Sequence, residues 1–140
     1  MEADEIYKLA EKHNVKIVNV EIDGKIEAFS LSVNGEKFIC IDKRKIKDNA
    51  DEKYKLAHEL GHHISDAYYE CENDTIYKYK AEYEIERKAD EYAISLLIPL
   101  SELNAVYVMG YNEQQIAEHF DVPQELVAKA FWVYFNEQAS

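Results

Sequence analysis

A chain of 140 residues, 47% of them hydrophobic, has enough apolar material for one core and one domain without external staples. Its formal net charge of -12 repels phosphate backbones and anionic lipid surfaces at long range, which argues against a general nucleic-acid or membrane-surface role. Cys40 and Cys71 make no disulfide framework, acidic residues follow Met1 where a signal sequence would be basic, and the longest apolar stretch, 93–100, is far short of a bilayer span; a cytoplasmic location is expected.

Ile6, Leu9 and Ala10 recur at helical spacing between Ala3 and His13, which predicts a short amphipathic helix. From Lys16 to Ile41 the pattern alternates, in runs 17–22, 26–33 and 38–41, with Asp23-Gly24 and Asn34-Gly35 between them as tight-turn dipeptides. This predicts a three-stranded antiparallel meander. The basic run Lys43-Arg44-Lys45-Ile46-Lys47 reads as a solvated connection. Asn49 with Glu52 reads as a capping box, opening a helix near Ala50 that runs to about Asp66 with Leu56, Ala57, Leu60, Gly61 and Ile64 inward. A tyrosine-rich connection, 67–80, leads to a second long helix, 81–98, stopped by Pro99. Beyond it, Ser101 is expected to cap a short helix, Asn112 to cap 113–120, and Pro123 to open a last helix reaching about Asn136. The class is α+β, with a core over 1–100 and a C-terminal helical extension, 101–140, packed on the same domain.

The chemistry gathers in His58-Glu59-Leu60-Gly61-His62. Histidines four apart on a helix project from nearly the same face and can share one metal ion, while Glu59 stands beside that face, able to reach a water without being a ligand. Zinc suits two neutral imidazoles and a carboxylate and brings the pKa of a coordinated water to about 7, so that Glu59 could take its proton and pass it to a leaving amine. Such a site needs a third protein ligand. Glu86 on the second helix fits, with Asp90 one turn on placed to accept the other ring hydrogen of a ligating histidine; the competing reading is a solvated acidic face with Glu82, Glu84 and Glu91. Ala89 and Ala93 favour a face packed closely on the first helix, and Gly61 permits close approach of a neighbouring backbone.

The segment Ala57-His58-Glu59-Leu60-Gly61-His62, together with Glu86, Ala89-Asp90, Tyr92-Ala93 and Leu96-Leu97-Ile98-Pro99 and preceded by Phe38-Ile39-Cys40-Ile41, resembles the ImmA/IrrE-type metallopeptidases of bacteria, their phages and integrative elements. The resemblance runs from about Lys37 to Pro99. It implies a zincin-like fold, one zinc ion per chain held by His58, His62 and Glu86, and Glu59 as the catalytic residue. It implies also a protein substrate, typically a helix-turn-helix repressor that is cleaved or inactivated to switch on a mobile element. The Glu86–Asp90 spacing further resembles the corresponding helix of thermolysin-like peptidases.

Three readings then stand: a zinc endopeptidase, a non-catalytic metal-containing antirepressor that acts by binding its partner, and a transcription factor using residues 116–136. The last stretch looks like a helix-turn-helix, yet its second helix carries Phe131, Trp132, Tyr134 and Phe135 and little basic charge, so packing or partner binding is favoured over DNA. His63, about 100° from His62, is expected at the surface. An oxyanion stabiliser is also required, and the sequence offers His119, Tyr54, Tyr68, Tyr69, Tyr77 and Tyr83 without choosing among them.

Overall fold

In the computed structural model, which describes residues 1–66 and 79–136, the N-terminal pattern forms α1 (Ala3–Lys12), with Ile6 and Ala10 fully buried. Three strands follow: β1 (Val15–Asn19), β2 (Ala28–Val33) and β3 (Glu36–Ile41). Asn34 and Gly35, at φ of 50° and 83°, turn β2 back onto β3 as a tight hairpin. β1, however, pairs with β3 in parallel, from Val15 opposite Lys37 to Asn19 opposite Ile41.

The sheet is therefore mixed, in the order β1-β3-β2, and the expected antiparallel meander is corrected. Phe38-Ile39-Cys40-Ile41 is the most apolar of the three runs, with Ile39 and Ile41 fully buried, and it takes the centre, where the backbone is hydrogen-bonded on both sides. The more polar β1 and β2 become edges. The Asp23-Gly24 dipeptide does turn, with Gly24 at φ 84°, but within a connection, 20–27, that carries the chain from one edge of the sheet to the other.

That connection is fastened by the basic run, which is not a merely solvated link. Lys45 Nζ donates to the carbonyls of Ile22, Gly24 and Ile26 at 2.6, 2.7 and 2.8 Å. Arg44 forks onto the buried Asp42 (Nε to Oδ1 2.9 Å, the terminal nitrogen to Oδ2 2.7 Å), and Asp42 Oδ2 also accepts the Ile22 N–H at 2.9 Å.

α2 (Asn49–Ile64) is capped by Asp48, whose side chain accepts the Asp51 N–H at 2.8 Å. The cap expected at Asn49 thus moves back one residue, because Asp48 holds the extended conformation and Asn49 is already helical. α3 (Tyr79–Leu97) ends before Pro99, and α4 (Leu100–Val108) starts immediately after it, so Ser101 lies inside that helix and does not cap it. α5 (Glu113–Phe120) opens on a reciprocal capping box between Asn112 and Gln115. α6 (Gln124–Phe131) follows Pro123, and the chain then passes into a π turn (Trp132–Asn136) where one continuous helix was expected.

One apolar cluster joins all of this. Ile6 of α1, Ile39 of β3, Leu60 of α2, Ile94 of α3, Leu103 of α4, Ile116 of α5 and Leu126 of α6 belong to it. Among the described residues no helix is long and apolar enough to cross a membrane.

Candidate metal centre

α2 and α3 lie against each other, and their closeness depends on Gly61. A Cβ at this position would stand 2.7 Å from the Ala89 carbonyl oxygen and 3.0 Å from its Cα, so any side chain would force the helices apart. Ala89 and Ala93, both fully buried, complete the small-residue seam. The seam aligns the histidine face of α2 with the acidic face of α3.

There the five residues singled out by spacing come together. His58 Nε2 lies 3.0 Å from Glu86 Oε1 and His62 Nε2 lies 3.1 Å from Glu86 Oε2, so one carboxylate straddles both rings. The rings stand edge to face with centroids 4.9 Å apart. On the far side of His58, Nδ1 donates to Asp90 Oδ1 at 2.9 Å. His58, Glu59 and His62 also place ligand-type atoms within 4.8 Å of one another, and could hold a metal ion. Besides Asp90, two carboxylates thus lie within reach of the histidines. Glu86 touches both Nε2 atoms, whereas Glu59 is fastened elsewhere: Ser30 Oγ on β2 lies 2.8 Å from both Glu59 Oε1 and the Glu59 carbonyl. The geometry therefore favours Glu86 over Glu59 as third donor. Two imidazole nitrogens and a carboxylate oxygen are the donor set that zinc takes, so the residues present fit that ion.

Electrostatics follow the same pairing. Burial opposes protonation of His58, but the carboxylates of Asp90 and Glu86 on its two nitrogens outweigh burial and raise its pKa. Glu86 is lowered despite its burial, because both histidines donate to it. Glu59, 8% exposed, is raised by burial against the opposing pull of the two histidines and Ser30.

A cavity of about 410 Å³ opens on this cluster, lined by Ile26, Ala28, Phe29, Ser30, Glu59, His62 and Glu86. One wall is thus edge strand β2 and the connection before it. A neighbouring cavity of about 370 Å³ reaches from Lys25 past His58 and Asp90 to Lys129.

Not every expectation holds. His63 is 2% exposed, not a surface residue; its Nε2 lies 2.7 Å from the Phe38 carbonyl, and burial lowers its pKa. Of the oxyanion candidates, His119 pairs with Glu102 at 3.0 Å, apart from the cluster, and the Tyr54 hydroxyl donates to Asp90 Oδ1 at 2.8 Å. Tyr83 is exposed on α3, beside Glu86 and Asp90 in a third cavity, while Tyr68, Tyr69, Tyr77 and Cys71 lie outside the described residues. Two residues at the site were not foreseen. Ser30 is a polar residue on the α2-facing side of β2, and Lys129 is a cation flanking the apolar stripe Leu126, Val127 and Ala130 of α6.

No curated protein and no solved structure matches the chain. The family model Peptidase_M78, described as IrrE N-terminal-like domain, matches residues 10–131 and so takes in every element from the end of α1 to the end of α6. The chain therefore belongs to the ImmA/IrrE family of metallopeptidases.

Proposed function

We propose that the chain is a zinc-dependent endopeptidase acting on a protein substrate, with His58, His62 and Glu86 as zinc ligands, Glu59 as general base and Asp90 orienting His58. The observation that carries this reading is the convergence of both Nε2 atoms on one carboxylate, in an open cleft where a second, separately fastened carboxylate waits. Zinc, when bound, supplies Lewis acidity, polarising a carbonyl and acidifying a water. Glu59, anchored at Oε1 by Ser30, has Oε2 to take the proton of the attacking water and return it to the leaving amine. With zinc in place of the Nε2 proton that now faces Glu86, Asp90 would accept from His58 Nδ1 and so hold the ring in the tautomer whose Nε2 lone pair meets the ion. β2 is an edge strand whose residues line the cleft, and an extended substrate segment would add to it by main-chain hydrogen bonds.

The substrate we favour is a helix-turn-helix repressor of a phage or mobile element, the partner typical of ImmA/IrrE-type proteins. The zinc-loaded chain, incubated with a helix-turn-helix repressor if one is encoded beside its gene, should yield discrete fragments by mass spectrometry. Glu59→Gln should keep one zinc per chain and lose cleavage by a factor of about 10²–10⁴, the range general-base catalysis supplies. Cleavage at the wild-type rate by zinc-bound Glu59→Gln would overturn the role of Glu59. Repressor relief without fragments, unaffected by the substitution, would favour the non-catalytic antirepressor.

A further inference from the structure

Lys129 lies on α6, 39 residues beyond Asp90 and outside the two motif helices, yet its ammonium reaches their outer face. Its Nζ donates to Asp90 Oδ2 at 3.2 Å and to the Tyr54 hydroxyl at 2.9 Å, and stands 5.5 Å from the centre of the Tyr54 ring. Tyr54 in turn donates to Asp90 Oδ1, the oxygen that also receives His58 Nδ1. Three donors, two from α2 and one from α6, thus fix one carboxylate.

We infer that Lys129 is a positioning residue of the metal centre: by occupying Asp90 Oδ2 it keeps Oδ1 turned toward His58 Nδ1, and so fixes the ring whose Nε2 faces Glu86. The inference rests on the zinc reading above. A carboxylate is free to turn about its Cβ–Cγ bond, and an ionised one beside a dication is a competing ligand. Lys129 and Tyr54 remove that freedom from Asp90, each from a different side. α6, which in sequence looks like the second helix of a helix-turn-helix, then braces the metal centre.

Two physical effects of removing Lys129 have opposite signs, which makes the test decisive. Through charge alone, deleting a cation near a dication site tightens metal binding. Through positioning, it loosens Asp90 and then His58, and binding weakens. Zinc affinity is measured by chelator competition in wild type, Lys129→Met, Lys129→Arg, Tyr54→Phe and the double variant Lys129→Met/Tyr54→Phe. Cobalt absorption spectra and melting of the metal-free proteins accompany it.

We expect Lys129→Met to weaken zinc binding about threefold to tenfold, below the roughly 10–100-fold cost of losing a direct partner of a ligand. Lys129→Arg should restore affinity, the cobalt spectrum of Lys129→Met should change, and metal-free melting should stay near wild type. Since Lys129 and Tyr54 act on one carboxylate, the double variant should lose less than the product of the single losses. Unchanged or tightened binding in Lys129→Met overturns the inference, as does a loss matched by metal-free destabilisation and not restored by arginine. Should Lys129→Met fail to fold, Tyr54→Phe, which deletes the hydroxyl bonded to both Asp90 and Lys129 and keeps the ring, should weaken zinc binding about threefold to tenfold, and unchanged or tightened binding in it overturns the inference. Failure of wild type itself to bind zinc would instead sink the metallopeptidase reading.

Discussion

Ser30 is where the sheet touches the chemistry. Its hydroxyl lies 2.8 Å from both the side chain and the carbonyl of Glu59, so it holds the carboxylate proposed as the base. A neutral side-chain hydrogen bond is worth about 1 kcal/mol, and about 1.4 kcal/mol is tenfold in rate. Ser30→Ala should therefore lower kcat about threefold to tenfold, with zinc affinity and KM near wild type; a fall in zinc affinity of the same size would mean that Ser30 supports the ligands and not the base. The contrast between Ser30 and the motif residues shows what was legible. That His58 and His62 share one face, and Glu86 and Asp90 another, could be read from spacing, because 3.6 residues per turn converts an interval of four into a shared face; that the two faces meet rested on a zinc site's need for a third ligand and on the family resemblance. That Ser30 and Lys129 join them depends on which strand borders α2 and which helix lies over α3, and no local interval encodes either. His63 was misplaced for a related reason: its direction away from His62 was right, but that direction points under β3, to the Phe38 carbonyl.

At the scale of elements, the strands were readable and their order was not. Alternation says which side chains share a face, but it is silent on which strand lies beside which, and the choice fell to the apolar content of β3. The consequence is functional, since the crossing chain, 20–27, runs along the cleft and contributes Lys25, Ile26 and Glu27 to its rim. Asp42 holds that segment through the Ile22 N–H, and its pKa lies well below the usual carboxylate range, chiefly through the Arg44 fork and then through Ile22. The sign is fixed by this depression. The group contributes stability fully above its unfolded pKa of about 3.9, and the contribution is lost as pH falls through the lower folded value. Asp42→Asn should lower stability at neutral pH and flatten its decline below about pH 4. Urea midpoints across that range measure both effects, and a decline as steep as wild type would show that other carboxylates govern acid unfolding.

For the whole molecule, the question is whether the C-terminal helices are an appendage or part of the body that carries the site. Lys53 bears on it directly. It sits on α2 five residues before His58 and is 1% exposed, and its Nζ donates to the Phe120 carbonyl at the end of α5 at 2.9 Å, with Asp121 Oδ2 at 3.8 Å. Asp121 adopts φ 54°, the left-handed conformation that ends the helix, and accepts from Asn49 Nδ2 at 2.7 Å. A cation at a helix C-terminus answers both the helix dipole and an unsatisfied carbonyl. α2 therefore grips α5 at one end, while Lys129 of α6 grips α3 and α2 at the other. With a single apolar cluster between them, the helices should unfold together. Lys53→Met keeps the length and apolar stem of the side chain and removes its charge. It should cost about 1.5–3 kcal/mol, the range of a hydrogen bond to a charged group, seen as a lower urea midpoint with one transition and an unchanged slope. A second transition, or a shallower slope in the variant, would mean that α5 and α6 can leave while the rest stays folded, and zinc affinity followed through that first transition would then tell how far the metal centre depends on them.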